Sequence, residues 1–165
     1  MAQGEDPRRF KFVDETGLHR AFARRYGRAK GGQRVGQRVP LRVGPAVAVV
    51  GALTINGLEA VMSLDGALNQ DGFAAYLTHN LPVHKVAGMA ALVEARGARL
   101  LFLPPYSPDF APIEQAWRKL KTALRTAAAR TRQALEQALT QAITWITSQD
   151  AQNWFDHCGY HVHSL

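Results

Sequence analysis

The stretch Leu101-Phe-Leu-Pro-Pro-Tyr-Ser-Pro-Asp-Phe-Ala-Pro-Ile-Glu-Gln-Ala-Trp-Arg-Lys-Leu-Lys121 constrains this chain more than any other. Leu100 to Leu103 is an apolar run of the kind that makes a buried parallel strand. Pro104, Pro105 and Pro108 then fix φ along the loop, and Pro112 suits the first position of a helix. Beyond it Ile113, Ala116, Trp117, Leu120 and Leu124 recur at helical spacing as one apolar stripe, while Glu114, Arg118, Lys121 and Arg125 occupy the other face. The reading is a strand, a stiff loop and an amphipathic helix. Its first turn carries a carboxylate aimed away from the core, towards a cationic surface.

The remaining elements follow from local pattern. Lys11 to Thr16 predicts a first strand, followed by an Arg- and Gly-rich connection through Gly44. Ala46 to Ile55 and Leu58 to Leu64 flank Asn56-Gly57, the strongest short hairpin signal, so three strands should form an antiparallel meander. Asn69 to Leu77 reads as a short helix, Val86 to Ala95 as another ending at Gly97, and Ala98 to Leu103 as the next strand. Thr131 should cap a helix with Leu135, Leu139, Ile143 and Ile146 on one face, and Ser148 a last helix carrying Trp154 and Phe155. Trp117, Trp145 and Trp154 fall among apolar helical positions and are expected in the core. With 165 residues, 47% of them hydrophobic, the chain can bury one core, so one domain is expected. Mixed strands with covering helices make an α/β layer fold.

Charge narrows the partners. The formal net charge is +7, which favours a polyanion such as nucleic acid or an acidic membrane surface. Between Glu15 and Glu59 no acidic residue occurs, yet Arg20, Arg24, Arg25, Arg28, Lys30, Arg34, Arg38 and Arg42 all fall there. Arg24, Arg25, Arg28, Lys30 and Arg34, together with Lys85, Arg118 and Lys121, are the candidate contacts to the phosphates of double-stranded DNA. A merely solvated charged surface is the alternative. Cys158 stands alone, so no intrachain disulfide can form and a reducing cytoplasm is the natural compartment. No signal-peptide core opens the chain, and no run approaches the roughly 18 apolar residues of a membrane helix.

Pro104-Pro-Tyr-Ser-Pro-Asp-Phe-Ala-Pro-Ile-Glu-Gln115 resembles the glutamate motif of the bacterial insertion-sequence transposases related to the mariner elements, the DDE superfamily endonucleases. Phe12-Val13-Asp14-Glu15-Thr16-Gly17 is similar to the family's first-aspartate strand, and Arg25-Tyr26-Gly27-Arg28-Ala29 to the turn after it. Asn80-Leu81-Pro82-Val83-His84-Lys85 is similar to the stretch that follows the second aspartate. The likeness runs from Phe10 to Tyr160. It implies a ribonuclease-H-like mixed sheet with covering helices: a short extension over 1–9, a catalytic domain over 10–130 and a helical extension of it over 131–165. It also implies metal-dependent DNA cleavage and strand transfer in transposition, using Mg2+ or Mn2+, at the nucleoid. Two metal ions about 3.5–4 Å apart serve that chemistry, and hard cations call for carboxylate oxygen. The resemblance assigns Asp14 and Glu114 as catalytic metal ligands. It adds a second copy or a full-length transposase as partner, and implies that the helix-turn-helix region which reads the element's ends is missing here.

The pattern breaks at the second carboxylate. Where the family has an apolar strand ending in Asp-Asn, this chain reads Ala75-Tyr-Leu-Thr-His-Asn80, with thirty-four residues between His79 and Glu114 as in the family. No apolar strand precedes Asn80, so one central parallel strand is expected to be absent. Neutral imidazole brings no charge and suits zinc or manganese better than magnesium. The expectation is therefore an inactive transposase domain; the alternative is a non-catalytic remnant that binds DNA or a full-length transposase. Taken without the family, Asp14 is equally a strand-end acid, and Glu114 a first-turn acid paired with Arg118. Asp65 and Asp109 read as turn formers. The His157-Cys158-Gly-Tyr-His161-Val-His163 tail lacks a second ligand cluster and reads as structural.

Overall fold

A hairpin organises the sheet. The computed structural model describes residues 5–23, 26–36, 38, 40, 44–80, 89–95 and 97–161. Strands β1 (Phe12–Leu18), β2 (Val47–Thr54) and β3 (Gly57–Asp65) are antiparallel, in the order β1-β2-β3. The Asn56-Gly57 signal acts one position later than a two-residue Asn-Gly loop would. Ile55 and Asn56 make the loop, and Gly57 pairs with Thr54 at φ 128°, where a side chain would be strained. Thr54 Oγ1 accepts the Asn56 N–H at 3.1 Å and donates to Glu59 Oε1 at 2.9 Å, closing the turn.

Every residue of β2 is buried, as a central strand covered on both faces requires. Val47, Val49 and Leu53 face one layer and Val50 the other. A bulge keeps β3 in step with this arrangement. Pairing passes from Val50–Met62 to Ala52–Glu59, so Ala60 and Val61 together oppose Gly51, with Ala60 at φ 51°. Leu58 and Val61 thereby join one layer while Met62 joins the other, a change of side that strict alternation forbids.

The helices are α1 (Gln70–Asn80), α2 (Met89–Glu94), α3 (Ile113–Ala127), α4 (Arg132–Ile143) and α5 (Ser148–His157). The predicted stripe on α3 is fully buried, and with Leu135 and Leu139 of α4 and Ala151 and Phe155 of α5 it forms one core against the sheet. Thr131 caps α4 by accepting the Ala134 N–H. On α5 the cap is Thr147, not Ser148, in a reciprocal capping box with Asp150. The other face of the sheet is covered by α1 through Tyr76 and Leu77.

Four expectations are corrected. Residues 98–103 form no strand, and Leu101, Phe102 and Leu103 are 53%, 83% and 40% exposed. An apolar run becomes a strand only when a neighbour supplies the ladder; among the described residues β1 pairs with β2 alone. The sheet is accordingly antiparallel rather than mixed, apart from one isolated parallel bridge between Val47 and Gly66. Trp145 is 55% exposed instead of core: α4 ends at Ile143, and in the turn that follows it is Ile146, 6% exposed, that enters the core. The helix expected over 69–77 runs on to Asn80, which puts His79 in its last turn. The helix predicted from Val86 is described only over Met89–Glu94, and its expected start lies outside the described residues.

Candidate functional site

Asp14 reaches its position through strand period. Phe12, Asp14, Thr16 and Leu18 share the side of β1 that faces α3. Directly across in β2 stands Gly51, where a Cβ would lie 3.1 Å from the Trp117 ring; the missing side chain leaves room for the indole. Trp117 Nε1 donates to Asp14 Oδ2 at 3.0 Å. A buried indole needs a partner for its N–H, and Asp14 is that partner. One of its carboxylate oxygens is thereby tied to α3.

Glu114 stands on the first turn of the same helix, one turn before Trp117, and is exposed. Its backbone N–H bonds Ala111 O at 3.0 Å, and no side chain caps the helix start. The approach is braced from the far end of the chain, since Tyr160 Oη donates to Phe110 O at 2.9 Å. Tyr160 is set by edge-on contacts with Phe10 and a tilted one with Phe12. The Glu114–Arg118 ion pair does not form.

No third carboxylate joins these two. Among the described residues no three His, Cys, Asp or Glu side chains converge where a metal ion could be held. The residues outside the description include no Asp or Glu, so every acid of the chain is accounted for. Asp65 pairs with Arg132 at 2.7 Å, and Asp109 lies in the 3-10 turn Pro108–Phe110. His79 is exposed at the end of α1. The donor set does not fit a two-metal centre.

The cations divide differently. Arg28, Lys30 and Arg34 are exposed on the connection between β1 and β2, Arg118 is exposed on α3, and Lys121 is half-buried there. None of these five is in an ion pair with a described acid. Arg24, Arg25 and Lys85 lie outside the described residues. The base of the connection is anchored by Arg130, whose Nη1 donates to Arg20 O at 2.9 Å and Phe22 O at 2.8 Å while Nη2 donates to Arg38 O at 3.4 Å. Phe22 is buried beside His19, with the Arg125 guanidinium 5.5 Å from its ring centroid.

Comparison with known proteins bears on this arrangement. A family profile described as DDE superfamily endonuclease matches residues 78–136, the span that holds Glu114 and the whole of α3. That stretch is similar to the DDE superfamily endonucleases. No curated protein matches. Among solved structures, the Mos1 mariner paired-end complex with Mn matches with a TM-score of 0.64 at 15% identity, over 92% of this chain and 53% of that one. The pre-cleavage Mos1 transpososome matches at 0.58 and 14% identity, over 96% and 57%. The chain spans about half the length of the structures it matches. At such identity the likeness is one of fold: a mixed α/β arrangement like that of the Mos1 transposase.

Three residues matter here that sequence reasoning passed over. Trp117 reads as core from its stripe, and only Gly51 opposite Asp14 hinted at an indole between them. Arg130 spends its donors on backbone carbonyls, which have no side-chain identity to match. Tyr160, fifty positions from Phe110, gave no local signal at all.

Proposed function

We propose that the chain is a DDE-type transposase catalytic domain on a ribonuclease-H-like sheet that has lost one central strand, and that it holds DNA without cutting it. One observation carries this reading: among the described residues no three His, Cys, Asp or Glu side chains converge, at Asp14, at Glu114 or elsewhere. Loss of a single ligand, or misplacement by about 1 Å, is enough to cost roughly a hundredfold in such chemistry. When bound, Mg2+ or Mn2+ would activate the attacking oxygen and stabilise the leaving one; the two remaining carboxylates are too few for that task. That β1 pairs only with β2 among the described residues, and that residues 101–103 are exposed and unpaired among them, support a lost strand. Unpaired cations at Arg28, Lys30, Arg34 and Arg118 support retained phosphate contact.

Supercoiled plasmid and end-containing duplex, incubated with the chain in Mg2+ and in Mn2+, test the reading. Nicking should not exceed that of an Asp14→Ala/Glu114→Ala double variant, and His79→Asp should not raise it. Metal-dependent nicking that either single substitution abolishes would overturn the proposal and make His79 a working ligand.

A further inference from the structure

The exposed Trp145 lies at one wall of a surface groove of 460 Å³ whose other wall is α3, lined by Arg118, Lys119, Thr122 and Thr126, with Trp154 of α5 beneath. That volume falls within the range of about 300–1,000 Å³ over which proteins hold small organic groups. Its polar groups are the cations Arg118 and Lys119, the hydroxyls of Thr122 and Thr126 and the Gln115 amide, and no acid among the described residues lines it. Lys119 is neutralised by Asp150 at 2.7 Å, so Arg118 is the uncompensated charge of the wall. Along α3, Arg118, Lys121 and Arg125 recur at helical spacing, and Arg125 ends over Phe22, the anchor of the Arg28–Arg34 connection. A polyanion that follows those cations arrives at a half-exposed indole.

We propose that this groove takes one unpaired nucleotide, its base stacked on the Trp145 indole and its phosphate on the Arg118 guanidinium. The inference deepens the DNA-holding reading and rests on it. Aromatic stacking accepts any base, whereas the guanidinium accepts the phosphate, so the site selects single-stranded ends over blunt duplex without regard to sequence. An apolar peptide would leave Arg118 unmatched in the interface.

The test uses a blunt duplex and the same duplex with a short single-stranded tail, titrated by fluorescence anisotropy at fixed low salt. The whole chain is compared with Trp145→Leu, Trp145→Phe, Arg118→Gln and a triple variant carrying Arg28→Gln, Lys30→Gln and Arg34→Gln. The tail should raise affinity about tenfold, within the range of stacking one base. Trp145→Leu should remove that gain while blunt-duplex affinity and thermal midpoint hold, Trp145→Phe should keep part of it, and Arg118→Gln should reduce it. The triple variant should weaken both duplexes and preserve their ratio. A tail that adds nothing in the unsubstituted chain, or a gain that survives Trp145→Leu, overturns the groove assignment and leaves duplex binding standing. No binding of either duplex overturns both readings. Concentration-dependent burial of Trp145 without DNA would assign the groove to a second copy of the chain instead.

Discussion

The two faces of the sheet are built to different standards. Among the described residues, nineteen buried side chains form one cluster beneath α3, α4 and α5, and Val50, Tyr76 and Leu77 form the cluster beneath α1. Both use the same central strand, so the difference comes from the helices and from what pairs with the sheet's edge. On the α3 side a continuous apolar stripe meets Phe12, Thr16 and Leu18 of β1. On the other side Val13, Glu15 and Gly17 stay exposed. Asp14 and Glu114 both belong to the well-built side, Asp14 tied directly into it by Trp117. A folded core by itself accounts for Asp14, whose carboxylate takes the Trp117 N–H, so a motif residue at this position does not by itself establish metal chemistry.

The largest expected effect tests this asymmetry directly. Trp117→Ala should cost about 3–5 kcal/mol, the usual result of emptying a fully buried aromatic site, whereas Leu77→Ala across the sheet should fall near the low end for its type, about 2 kcal/mol. Urea unfolding of both variants gives the comparison. Equal costs would mean that the α1 face supports the fold as strongly as the α3 face does. Within the Trp117 effect, a cycle of Trp117→Phe and Asp14→Ala should return a coupling of about 1–2 kcal/mol for the indole–carboxylate hydrogen bond.

Next in size is Arg130. Its three carbonyl contacts join the α3–α4 turn to both ends of the cationic connection, so Arg130→Ala should cost about 2 kcal/mol, towards the low end for charged hydrogen bonds because the group is partly solvated. Arg130→Lys should recover only a minor part, since an ammonium lacks the planar fork. Amide exchange should then accelerate around Phe22 while the β2 amides keep their protection. Acceleration spread evenly over the sheet would show that the connection and the α3 core are one cooperative unit.

What the sequence made legible follows the same division. The α3 stripe, the hairpin and the Thr131 cap were readable because each is a local pattern with one physical solution: helical period, a left-handed turn residue, an orphan N–H with an acceptor beside it. Residues 100–103 were misread because a strand is a relation between segments, and a run of Leu and Phe cannot announce whether a neighbour stands beside it to complete the ladder. The bulge at Ala60 was hidden for a similar reason, since either parity of Leu58, Val61 and Met62 is apolar. Asp14 and Glu114 were identified by motif, but the indole that fixes Asp14 depends on a glycine in another strand.

A smaller effect of opposite sign is expected on the α1 side. Tyr76 Oη is buried and makes no hydrogen bond among the described residues. Burial, with the Glu59 charge adding to it, pushes this phenol up to about 12. Tyr76→Phe should therefore raise stability by about 1 kcal/mol at neutral pH, the value of removing a desolvated, unmatched hydroxyl. The pH dependence has a definite sign. Because the folded-state value lies above the usual 10, the unfolded chain gives up its proton first, and stability falls as pH rises from about 10 towards 12. Tyr76→Phe should remove that fall, and a destabilised variant would mean the hydroxyl has a partner.

The smallest effect returns to the α3 side at the acid limb. The Lys119 ammonium, hydrogen bonded at 2.7 Å, and the Thr147 N–H hold the Asp150 carboxyl at about 2, below its usual 3.8. With the folded-state value depressed, the stabilisation is present above the unfolded value near pH 4 and is lost as pH falls through about 2. The pair is partly solvated, so its worth is that of a surface ion pair, about 0.2–1 kcal/mol, and salt should screen it. Asp150→Asn should flatten the acid limb between pH 4 and 2 by that amount, and lower stability slightly at neutral pH through the weakened capping box. Since the contact ties α3 to the start of α5, its loss should loosen the groove wall at Lys119 and leave the α1 face untouched. An acid limb unchanged by the substitution would place the acid sensitivity of the fold elsewhere than on the α3–α5 junction.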